Sequence, residues 1–557
     1  MENSEKRTFQ NPILPGFYPD PSICRAGDDY YLITSSFGFF PGVPIFHSKD
    51  LVNWEQIGHV LDRPSQLNLD GAGISGGIYA PTIRYHNGTF YMVTTNITNG
   101  GNFIVTADNP AGPWSDPYWI ENAPGIDPSL FFDEDGKVYF TAAWMAKDAQ
   151  KFSDMEIWGQ ELDLTEMKLV GERHSLWRGA LKNAHSPEGP HLYKVNGYYY
   201  LLISEGGTQH FHAVTIARSK NVFGPYEGYE GNPILTHRHL GKKFPISNPG
   251  HADLVETQNG EWWMVALASR PYGGYFKNLG RETFLIPVEW EDGWPVVSPG
   301  TGRVESTYDA PNLPNFSVAK TEVRDDFDNE KLGFVWNGIR TPREDFYSLT
   351  ERPGYLRLKL RPQEMVDVLK PPSMSMNPDE NKEDVIDHPS FIGRRQQHMN
   401  FTATVKMDFN PHNDDETAGL ALIQNNNFQY RFESSMVDGQ KAVRLIKCTS
   451  KTEMDYVKRT SSYENFETKL AEQPVSSDVL YLKITACEQD YSFYYGESLE
   501  EMKLLMDHVD GRILNPDTAG GFVGTYIGMF ASSNGNISGN NADFDWFDYE
   551  VTISESF

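Results

Sequence analysis

A short pattern recurs five times in the first 300 residues of the chain. Each copy starts at a leading position, continues into an apolar run, passes a turn that contains Gly, and ends in an aromatic-rich run. The leading positions are Asp20, Ala80–Pro81, Asp127, Gly189–Pro190 and His251–Ala252. Successive leading positions lie 47 to 62 residues apart, which leaves room for about four strands in each copy. The repeat therefore restricts the fold to a series of similar small sheets.

The turns inside each copy are typical of hairpins. Pairs such as Asn87–Gly88 and Asn196–Gly197 accept the positive φ angles that a tight turn between antiparallel strands demands. Five such sheets close most simply into a five-bladed β-propeller, in which the first strand of each blade is innermost. The residues that start the inner strands are therefore expected to meet at one end of the central axis.

Chemically useful side chains stand at or beside several leading positions. The propeller geometry is expected to bring together Asp20, Asp127, Glu188 (one residue before Gly189) and His251. A single Asp-Pro-Ser is more often a turn than a catalytic site, but here it recurs at equivalent places of a repeat. Carboxyl groups that share a pocket repel, which raises the pKa of at least one and leaves another ionised. These residues therefore predict a catalytic pocket.

The length of the chain predicts a second domain. Its 557 residues exceed what one hydrophobic core usually serves. We assign 1–310 to the propeller and 311–557 to a second domain, with an irregular Pro- and Gly-rich linker at about 289–320. Alternating strand patterns beyond the linker predict a β-sandwich, so the whole chain is expected to be all-β.

Charge and hydropathy narrow the range of partners. The net charge of −28 opposes binding to nucleic acid. No long apolar run and no apolar N-terminal segment is present, so neither a membrane span nor a signal peptide is predicted. The compartment stays open: cytoplasmic at face value, periplasmic or secreted where a signal was removed. The three cysteines are too few for a disulfide framework and are expected to be inert core thiols.

Four motifs, in order, resemble those of glycoside hydrolase family 43. They are Tyr-Pro-Asp-Pro-Ser at 18–22, Gly-Ile-Asp-Pro-Ser-Leu-Phe at 125–131, His-Ser-Pro-Glu-Gly-Pro-His-Leu-Tyr at 185–193 and Asn-Leu-Gly-Arg-Glu-Thr at 278–283. The resemblance covers the whole chain and implies a concanavalin-like sandwich for the second domain. It also implies an inverting exo-glycosidase that removes terminal α-L-arabinofuranosyl or β-D-xylosyl units from hemicellulose polysaccharides or their oligosaccharides.

The resemblance assigns a role to each carboxyl group. Asp20 would be the general base that activates water, and Glu188 the general acid that protonates the leaving oxygen. Asp127 would orient Glu188 and keep its pKa high. Inversion needs an acid and a base on opposite faces of the sugar, roughly 6.5 to 9.5 Å apart, with a water between them.

Five further positions match the family's sugar pocket: Phe37, Tyr79, Thr208, His251 and Arg281. Arg281 is expected to bind sugar hydroxyls and to tune Asp20, the alternative being a surface ion pair with a glutamate. For His251 the alternative is a satisfied core residue. Tyr79 stands where many relatives have tryptophan, which leaves the mechanism intact but changes the platform for the sugar.

Two expectations concern the borders of the pocket. Phe522, in Gly-Phe-Val-Gly at 521–524, resembles a residue that relatives extend from the second domain over the pocket; the alternative is a sandwich core residue. The resemblance also implies that a structural calcium can lie near His251, although calcium prefers oxygen ligands and no calcium loop is visible. No cofactor is expected to be required for the chemistry.

Other functions fit parts of the pattern. An endo-acting arabinanase or a fructan-cleaving propeller would need an open groove, and a non-catalytic carbohydrate-binding propeller would have no use for three axial carboxyl groups. Between the two sugars, stretches such as Asn-Pro-Ile-Leu-Thr-His-Arg-His-Leu-Gly at 232–241 resemble the arabinofuranosidase-rich branch of the family. The sequence leaves the linkage and the oligomeric state open, homo-oligomers included.

Overall fold

The first 300 residues form the expected five-bladed β-propeller in a computed structural model. The model describes residues 7–150, 154–182, 184–319, 322–366, 387–455 and 460–552. The first strands of successive blades contact one another and surround the axis. The blades consist of Ser22–Ala26, Asp29–Ile33, Gly42–Ser48 and Glu55–Leu61 (blade 1); Thr82–His86, Thr89–Asn96, Gly101–Ala107 and Tyr118–Trp119 (blade 2); Ile126–Phe132, Val138–Met145, Met155–Asp163 and Lys168–Trp177 (blade 3); Glu188–Val195, Tyr198–Glu205, Ala213–Ser219 and Glu227–Gly228, with Leu235–Thr236 beside the third strand (blade 4); and Ser247–Glu256, Trp262–Ser269, Glu282–Glu291 and Trp294–Val297 (blade 5).

The N-terminal segment ties the two ends of the propeller together. Thr8–Gln10 pairs with Thr307–Asp309, and the side chain of Asn11 exchanges hydrogen bonds of 2.8 and 2.9 Å with the backbone of Leu285 in blade 5. Blade 1 follows directly along the chain. The ring is thus closed by the same segment that leads into Asp20.

The start of the predicted linker is wrong. Residues 289–297 belong to blade 5, where they complete its third strand and form its outer strand. Asp292 and Gly293 have positive φ angles of 49° and 77°, which make a tight hairpin turn. Pro295 is tolerated because the outer strand of a blade needs hydrogen bonds on only one side.

The second domain is a sandwich of two antiparallel sheets. One sheet consists, in spatial order, of Tyr347–Ser348, Leu356–Lys359, Asn541–Val551, Asn400–Asp408, Val479–Cys487, Asp490–Gly496 and Lys503–Asp510, with Arg324–Asp325 beside Asn541–Val551. The other consists of Ser390–Arg395, Tyr526–Ser532, Thr417–Asn425, Phe428–Val437, Gln440–Asp455 and Thr460–Pro474. Their facing apolar side chains form one buried core. In the described ranges, helix is limited to the short turns Gly511–Leu514 and Pro516–Ala519.

The two domains are joined by a buried contact as well as by the chain. Gly338–Ile339 pairs with Phe39–Phe40 of the propeller. The guanidinium of Arg395, 2% exposed, donates from Nε to the Phe17 carbonyl at 2.7 Å and stacks over the Tyr18 ring. An apolar cluster contains residues of both domains. The sandwich is therefore fixed against the segment that carries Asp20.

Two smaller features complete the description. Among the described residues, no helix is long and apolar enough to cross a membrane. Cys24 and Cys448 are buried thiols, but Cys487 is exposed. The expectation of three core thiols is therefore wrong for Cys487, which ends a strand at the sandwich surface.

Candidate active site

Four of the five leading positions share an unusual backbone conformation. Asp20, Asp127, Gly189 and His251 have φ angles of 54°, 56°, 59° and 44°. Such left-handed conformations are costly for residues other than glycine and are concentrated at functional sites. The strand pairing also shifts in register just after the leading positions of blades 3, 4 and 5, as in a β-bulge that redirects a side chain. The repeat thus supplies a strained start to the inner strand as well as a polar residue.

Blade 4 places its carboxyl group one residue earlier than blades 1 and 3. A Cβ atom at Gly189 would lie 3.1 to 3.2 Å from the ring of His251, so the left-handed position itself is held by glycine. The preceding residue, Glu188, carries the carboxyl group instead. This packing explains why the fourth copy of the repeat reads Glu-Gly where the first and third read Asp.

Asp20 is buried in a site that keeps it ionised. Its carboxylate accepts a 2.6 Å hydrogen bond from Ser35 Oγ and forms a 2.6 Å ion pair with Arg281, and His251 Nδ1 lies 4.0 Å away. Burial alone would raise the pKa of Asp20, but the charges of Arg281 and His251 and the bond from Ser35 hold it below its usual value. Asp20 is therefore a carboxylate over the range in which most enzymes work.

Asp127 and Glu188 have the opposite character. Burial and the negative charges of Asp127 and Asp20 raise the pKa of Glu188 well above its usual value. Burial, aided by the charge of Asp20, raises the pKa of Asp127 to about 6. Asp127 Oδ2 also accepts a 3.1 Å hydrogen bond from the backbone N–H of Gly189. That bond fixes the peptide directly after Glu188.

Arg281 lies inside the pocket. Its guanidinium contacts Asp20, Thr208 Oγ1 at 3.3 Å and the backbone carbonyl of Phe522 at 3.3 Å. The alternative of a surface ion pair with a glutamate is wrong, because the neighbouring Glu282 pairs with Arg270 instead. Arg281 thus connects the carboxylate of blade 1, the loop after the second strand of blade 4 and the sandwich.

Three aromatic rings form one wall beside the carboxyl groups. The ring of Phe37 lies 5.3 Å from that of Tyr79 and 6.1 Å from that of Phe522, and the Tyr79 and Phe522 rings are 6.0 Å apart. Phe522 is 40% exposed and does not belong to the sandwich core cluster. Its N–H donates to Ser75 Oγ at 3.0 Å. The sandwich therefore supplies an apolar ring to the propeller pocket.

His251 is the residue near which a structural calcium ion is expected. Among the described residues, no group of three or more His, Cys, Asp and Glu side chains could hold a metal. The nearest carboxylate, Asp20, is already paired with Arg281, and calcium prefers several oxygen ligands. His251 is placed by its backbone N–H, which donates to Ser204 Oγ at 2.5 Å.

A buried polar network lies beneath the pocket, built from residues two to four positions after the leading positions. Arg84 and Asp253 form a 2.8 Å ion pair. Ser22 Oγ and Tyr193 Oη donate to Asp253 at 2.8 and 2.6 Å, and Arg84 donates to His191 Nδ1 at 2.8 Å. This axial network connects inner strands of blades 1, 2, 4 and 5.

Sequence reasoning missed several residues of the site. Ser35, which bonds to Asp20, follows the second strand of blade 1 within an otherwise ordinary Thr-Ser-Ser run. His212 lies with its Nε2 atom 3.8 Å from Glu188 Oε1. In the sequence, only the position of His212 could have indicated its role: it comes four residues after Thr208, at the same end of blade 4. The members of the axial network gave only a weak signal, as polar residues on strands expected to be apolar.

One pocket thus combines a carboxyl group whose pKa is lowered, one whose pKa is raised, and a third, Asp127, that accepts a hydrogen bond from the peptide directly after Glu188. Paired carboxyl groups of opposite protonation state are the chemical equipment of a glycoside hydrolase. A non-catalytic carbohydrate-binding propeller would have no need of such groups.

Comparison with known proteins agrees with this class. Residues 9–295 match the model of glycosyl hydrolases family 43, and residues 324–550 match the β-xylosidase C-terminal concanavalin A-like domain. The chain belongs to glycosyl hydrolase family 43 and has its two-domain architecture.

Similar proteins cover nearly the whole chain. A xylosidase/arabinosidase of Butyrivibrio fibrisolvens is 48% identical over 97% of this chain and 99% of its own length. A non-reducing end α-L-arabinofuranosidase of Bacteroides ovatus is 43% identical over 98% of this chain and 95% of its own length. The crystal structure of a xylan β-1,4-xylosidase from Bacillus halodurans has a TM-score of 0.86 at 35% identity, and the match covers 97% of this chain and 100% of that one.

Proposed function

We propose that the protein is an inverting exo-glycosidase that releases terminal, non-reducing α-L-arabinofuranosyl or β-D-xylosyl units from pentose-containing saccharides. The observation that carries the proposal is the pair of carboxyl groups with opposed pKa shifts: the pKa of the buried Asp20 is lowered and that of the partly buried Glu188 is raised. These are the protonation states that a general base and a general acid need before the reaction.

The opposed pKa shifts of Asp20 and Glu188 are compatible with a single displacement. Asp20, as a carboxylate, takes a proton from a water molecule while the water oxygen attacks the anomeric carbon. Glu188 gives its proton to the glycosidic oxygen as the bond from that oxygen to the anomeric carbon breaks. The products are the free pentose of inverted configuration and the shortened saccharide, and Asp20 then returns its proton to solvent while Glu188 regains one. Asp127 orients Glu188 through Gly189 and disfavours its anionic form.

The aromatic wall supports exo action. Phe522, brought by the sandwich, stands over the propeller pocket next to Phe37 and Tyr79. A pocket closed on one side by a ring accepts the tip of a chain more readily than its middle. The endo-acting alternative requires an open groove at this place.

The two candidate sugars are inferred from the names of similar proteins. The relatives named above act, by their names, on arabinofuranosides, on xylosides or on both. We favour arabinofuranose, as the two relatives of highest identity named here include arabinosidase or arabinofuranosidase in their names. β-D-Xylose is the second candidate.

The test uses aryl α-L-arabinofuranoside and aryl β-D-xyloside, with proton NMR of the first anomer formed. We expect hydrolysis of at least one substrate with inverted configuration, and single pentoses from arabino- or xylo-oligosaccharides. Retained configuration would contradict the inverting mechanism. A ladder of mixed oligosaccharides from a polymer would favour the endo alternative. If neither the arabinofuranoside nor the xyloside were hydrolysed, the proposed substrates would be rejected.

A further inference from the structure

His212 is a fully buried histidine whose ring is locked in one orientation. It lies directly before the strand Ala213–Ser219 and is 0% exposed. The ring packs on Gly250, where a Cβ atom would come within 2.2 to 2.4 Å of three of its atoms. Nδ1 of His212 is 3.1 Å from the backbone carbonyl oxygen of Asn248. The ring is therefore held between a glycine backbone and a fixed carbonyl group.

These contacts determine which ring nitrogen carries hydrogen. A carbonyl oxygen only accepts hydrogen bonds, so Nδ1 must be the donor. Burial lowers the pKa of His212 to about 3, so the ring is neutral near pH 7. In a neutral imidazole with hydrogen on Nδ1, Nε2 carries a lone pair and accepts.

The Nε2 atom is buried and lacks a hydrogen-bond partner within the described part of the chain. Such a buried acceptor is uncommon, because leaving it unsatisfied is costly. The polar atom in front of it is Glu188 Oε1, at 3.8 Å. Glu188 is 17% exposed at its side chain and can approach by a small rotation, as catalytic contacts often tighten only when substrate is bound.

The geometry points to His212 as a positioning residue for the general acid: its bare Nε2 accepts a hydrogen bond from the protonated carboxyl group of Glu188 and so favours the acid form. The ionised carboxylate has no hydrogen to donate and meets a lone pair instead. After Glu188 has given its proton to the leaving oxygen, the same contact favours reprotonation. This role rests on the proposed glycosidase function.

The other groups around Glu188 act by charge. Asp127 and Asp20 raise its pKa and Arg281 lowers it. His212 in turn faces His251, Arg281 and Asp20. A neutral acceptor differs from all of these because its effect depends on direction and persists at high ionic strength.

The test compares His212→Phe, which keeps a ring but removes the acceptor, with His212→Gln, which restores an acceptor oxygen. His237→Phe is the matched control, since His237 is also buried and also bonds through Nδ1 to a backbone carbonyl, but its Nε2 accepts from the Val304 N–H instead. The measurement is the pH dependence of kcat/KM on two glycosides of the same sugar. One has a 4-nitrophenyl leaving group and the other an alkyl or sugar leaving group.

For His212→Phe we expect the alkaline limb to move down by about one pH unit, the size of one lost hydrogen bond to the acid form. The rate loss is expected to be at least tenfold larger for the poor leaving group, which depends on proton donation. The acidic limb should move much less, because His212 is the smallest of the named influences on the pKa of Asp20. His212→Gln should recover most of the shift, and His237→Phe should show no shift.

An unchanged alkaline limb in active His212→Phe, with equal loss on both leaving groups, overturns the inference. If His212→Phe does not fold, difference infrared spectra of the wild-type protein against Glu188→Gln decide. A carboxylic acid band of Glu188 that persists near pH 7 at a hydrogen-bonded frequency supports the inference, and an ionised Glu188 or a free carboxyl frequency overturns it. Wild-type protein that hydrolyses neither glycoside contradicts the proposed function instead, so the two failures are distinguishable.

Discussion

At the level of single residues, the two principal carboxyl groups differ chiefly in their neighbours. Asp20 is paired with Arg281 and bonded to Ser35, whereas Glu188 has carboxyl groups nearby and a neutral histidine in front. These neighbours shift the two pKa values in opposite directions, as the proposed base and acid require. Because the pKa of Glu188 is raised in the folded state, its ionisation also lowers the stability of the protein.

Glu188→Gln is expected to abolish hydrolysis of poor leaving groups and to raise the thermal stability of the protein at pH 7 to 8 by a few degrees. The folded-state pKa of Glu188 lies above its unfolded value, so stability is lost as pH rises from about 4.5 through the folded pKa. A neutral amide removes that loss. The gain should shrink toward pH 4, where the unfolded chain is also protonated, as measured by calorimetry across pH.

Glu416→Gln is the control of opposite sign. Glu416 is buried, and although burial raises its pKa, bonds from Asn540, the His412 N–H and Ser538 hold it below its usual value. Its contribution is present above the unfolded pKa and is lost as pH falls through the folded one, so Glu416→Gln should lower the melting temperature at pH 7. Destabilisation by Glu188→Gln at pH 7 would contradict the pKa assignment.

At the level of elements, each of the inner strands of blades 1, 4 and 5 has two functions. Its leading position faces the pocket, and residues two to four positions further on join the axial network around Arg84 and Asp253. This arrangement fixes the inner strands to one another directly beneath the reacting groups. The network is therefore expected to contribute to stability as well as to the geometry of the site.

Arg84→Met should destabilise the protein by about 3 to 5 kcal/mol, because it leaves the buried Asp253 carboxylate without its cation. The double variant Arg84→Met/Asp253→Asn should recover a substantial part of that loss. Chemical denaturation of both variants and of Asp253→Asn completes a double-mutant cycle. Lys137→Met, which breaks the exposed pair with Glu161, should leave stability almost unchanged. Equal effects of Arg84→Met and Lys137→Met would refute the role of the network.

The loop of the sandwich that carries Phe522 makes a separate prediction. Phe522→Ala removes a ring from the aromatic wall but keeps the backbone carbonyl that Arg281 contacts, so kcat/KM on small aryl glycosides should fall several-fold with little change in melting temperature. Phe466→Ala, at a similarly exposed ring of the sandwich, is the control and should behave as wild type. Wild-type kinetics of Phe522→Ala would show that the ring has no part in substrate binding.

At the level of the whole molecule, the catalytic pocket depends on the contact between the domains. The backbones of Gly280 and Gly524 approach so closely that a Cβ atom at Gly524 would lie 2.7 Å from the Leu279 carbonyl oxygen. Gly280 precedes Arg281, and Gly524 follows Phe522 by two residues. The distance between the two domains is thus set next to Arg281 and Phe522, which the propeller and the sandwich contribute to the pocket.

Gly524→Ala should lower activity strongly and reduce the melting temperature, since the added methyl group meets propeller backbone that cannot rotate away. The control is Gly539→Ala in the same domain, where no atom lies within 4 Å of the added Cβ and the backbone φ is not positive. It should be nearly neutral. Normal kinetics and stability of Gly524→Ala would mean that the domain contact tolerates separation without loss of the site.

Features that follow from the local repeat were accessible to sequence reasoning. The number of blades, the hairpin turns and the convergence of Asp20, Asp127, Glu188 and His251 follow from a periodic pattern and from the symmetry of a closed ring. The start of the linker was not accessible in this way. The hairpin at Asp292–Gly293 contains Trp, Pro and Gly, so its composition resembles that of an irregular connecting segment. Exposure of Cys487 depends likewise on where its strand ends.

The sequence by itself therefore determined the all-β propeller and the leading carboxyl groups, since repetition places equivalent residues at equivalent points around one axis. Only the tertiary structure decided that Phe522 stands over the pocket, that Arg84 meets Asp253 and that His212 presents a bare nitrogen to Glu188. The physical reason is that these contacts join residues from different domains, from different blades, or from strands of one blade that are not neighbours. Their distances and hydrogen-bond directions depend on how whole sheets pack, which no local pattern of residues encodes.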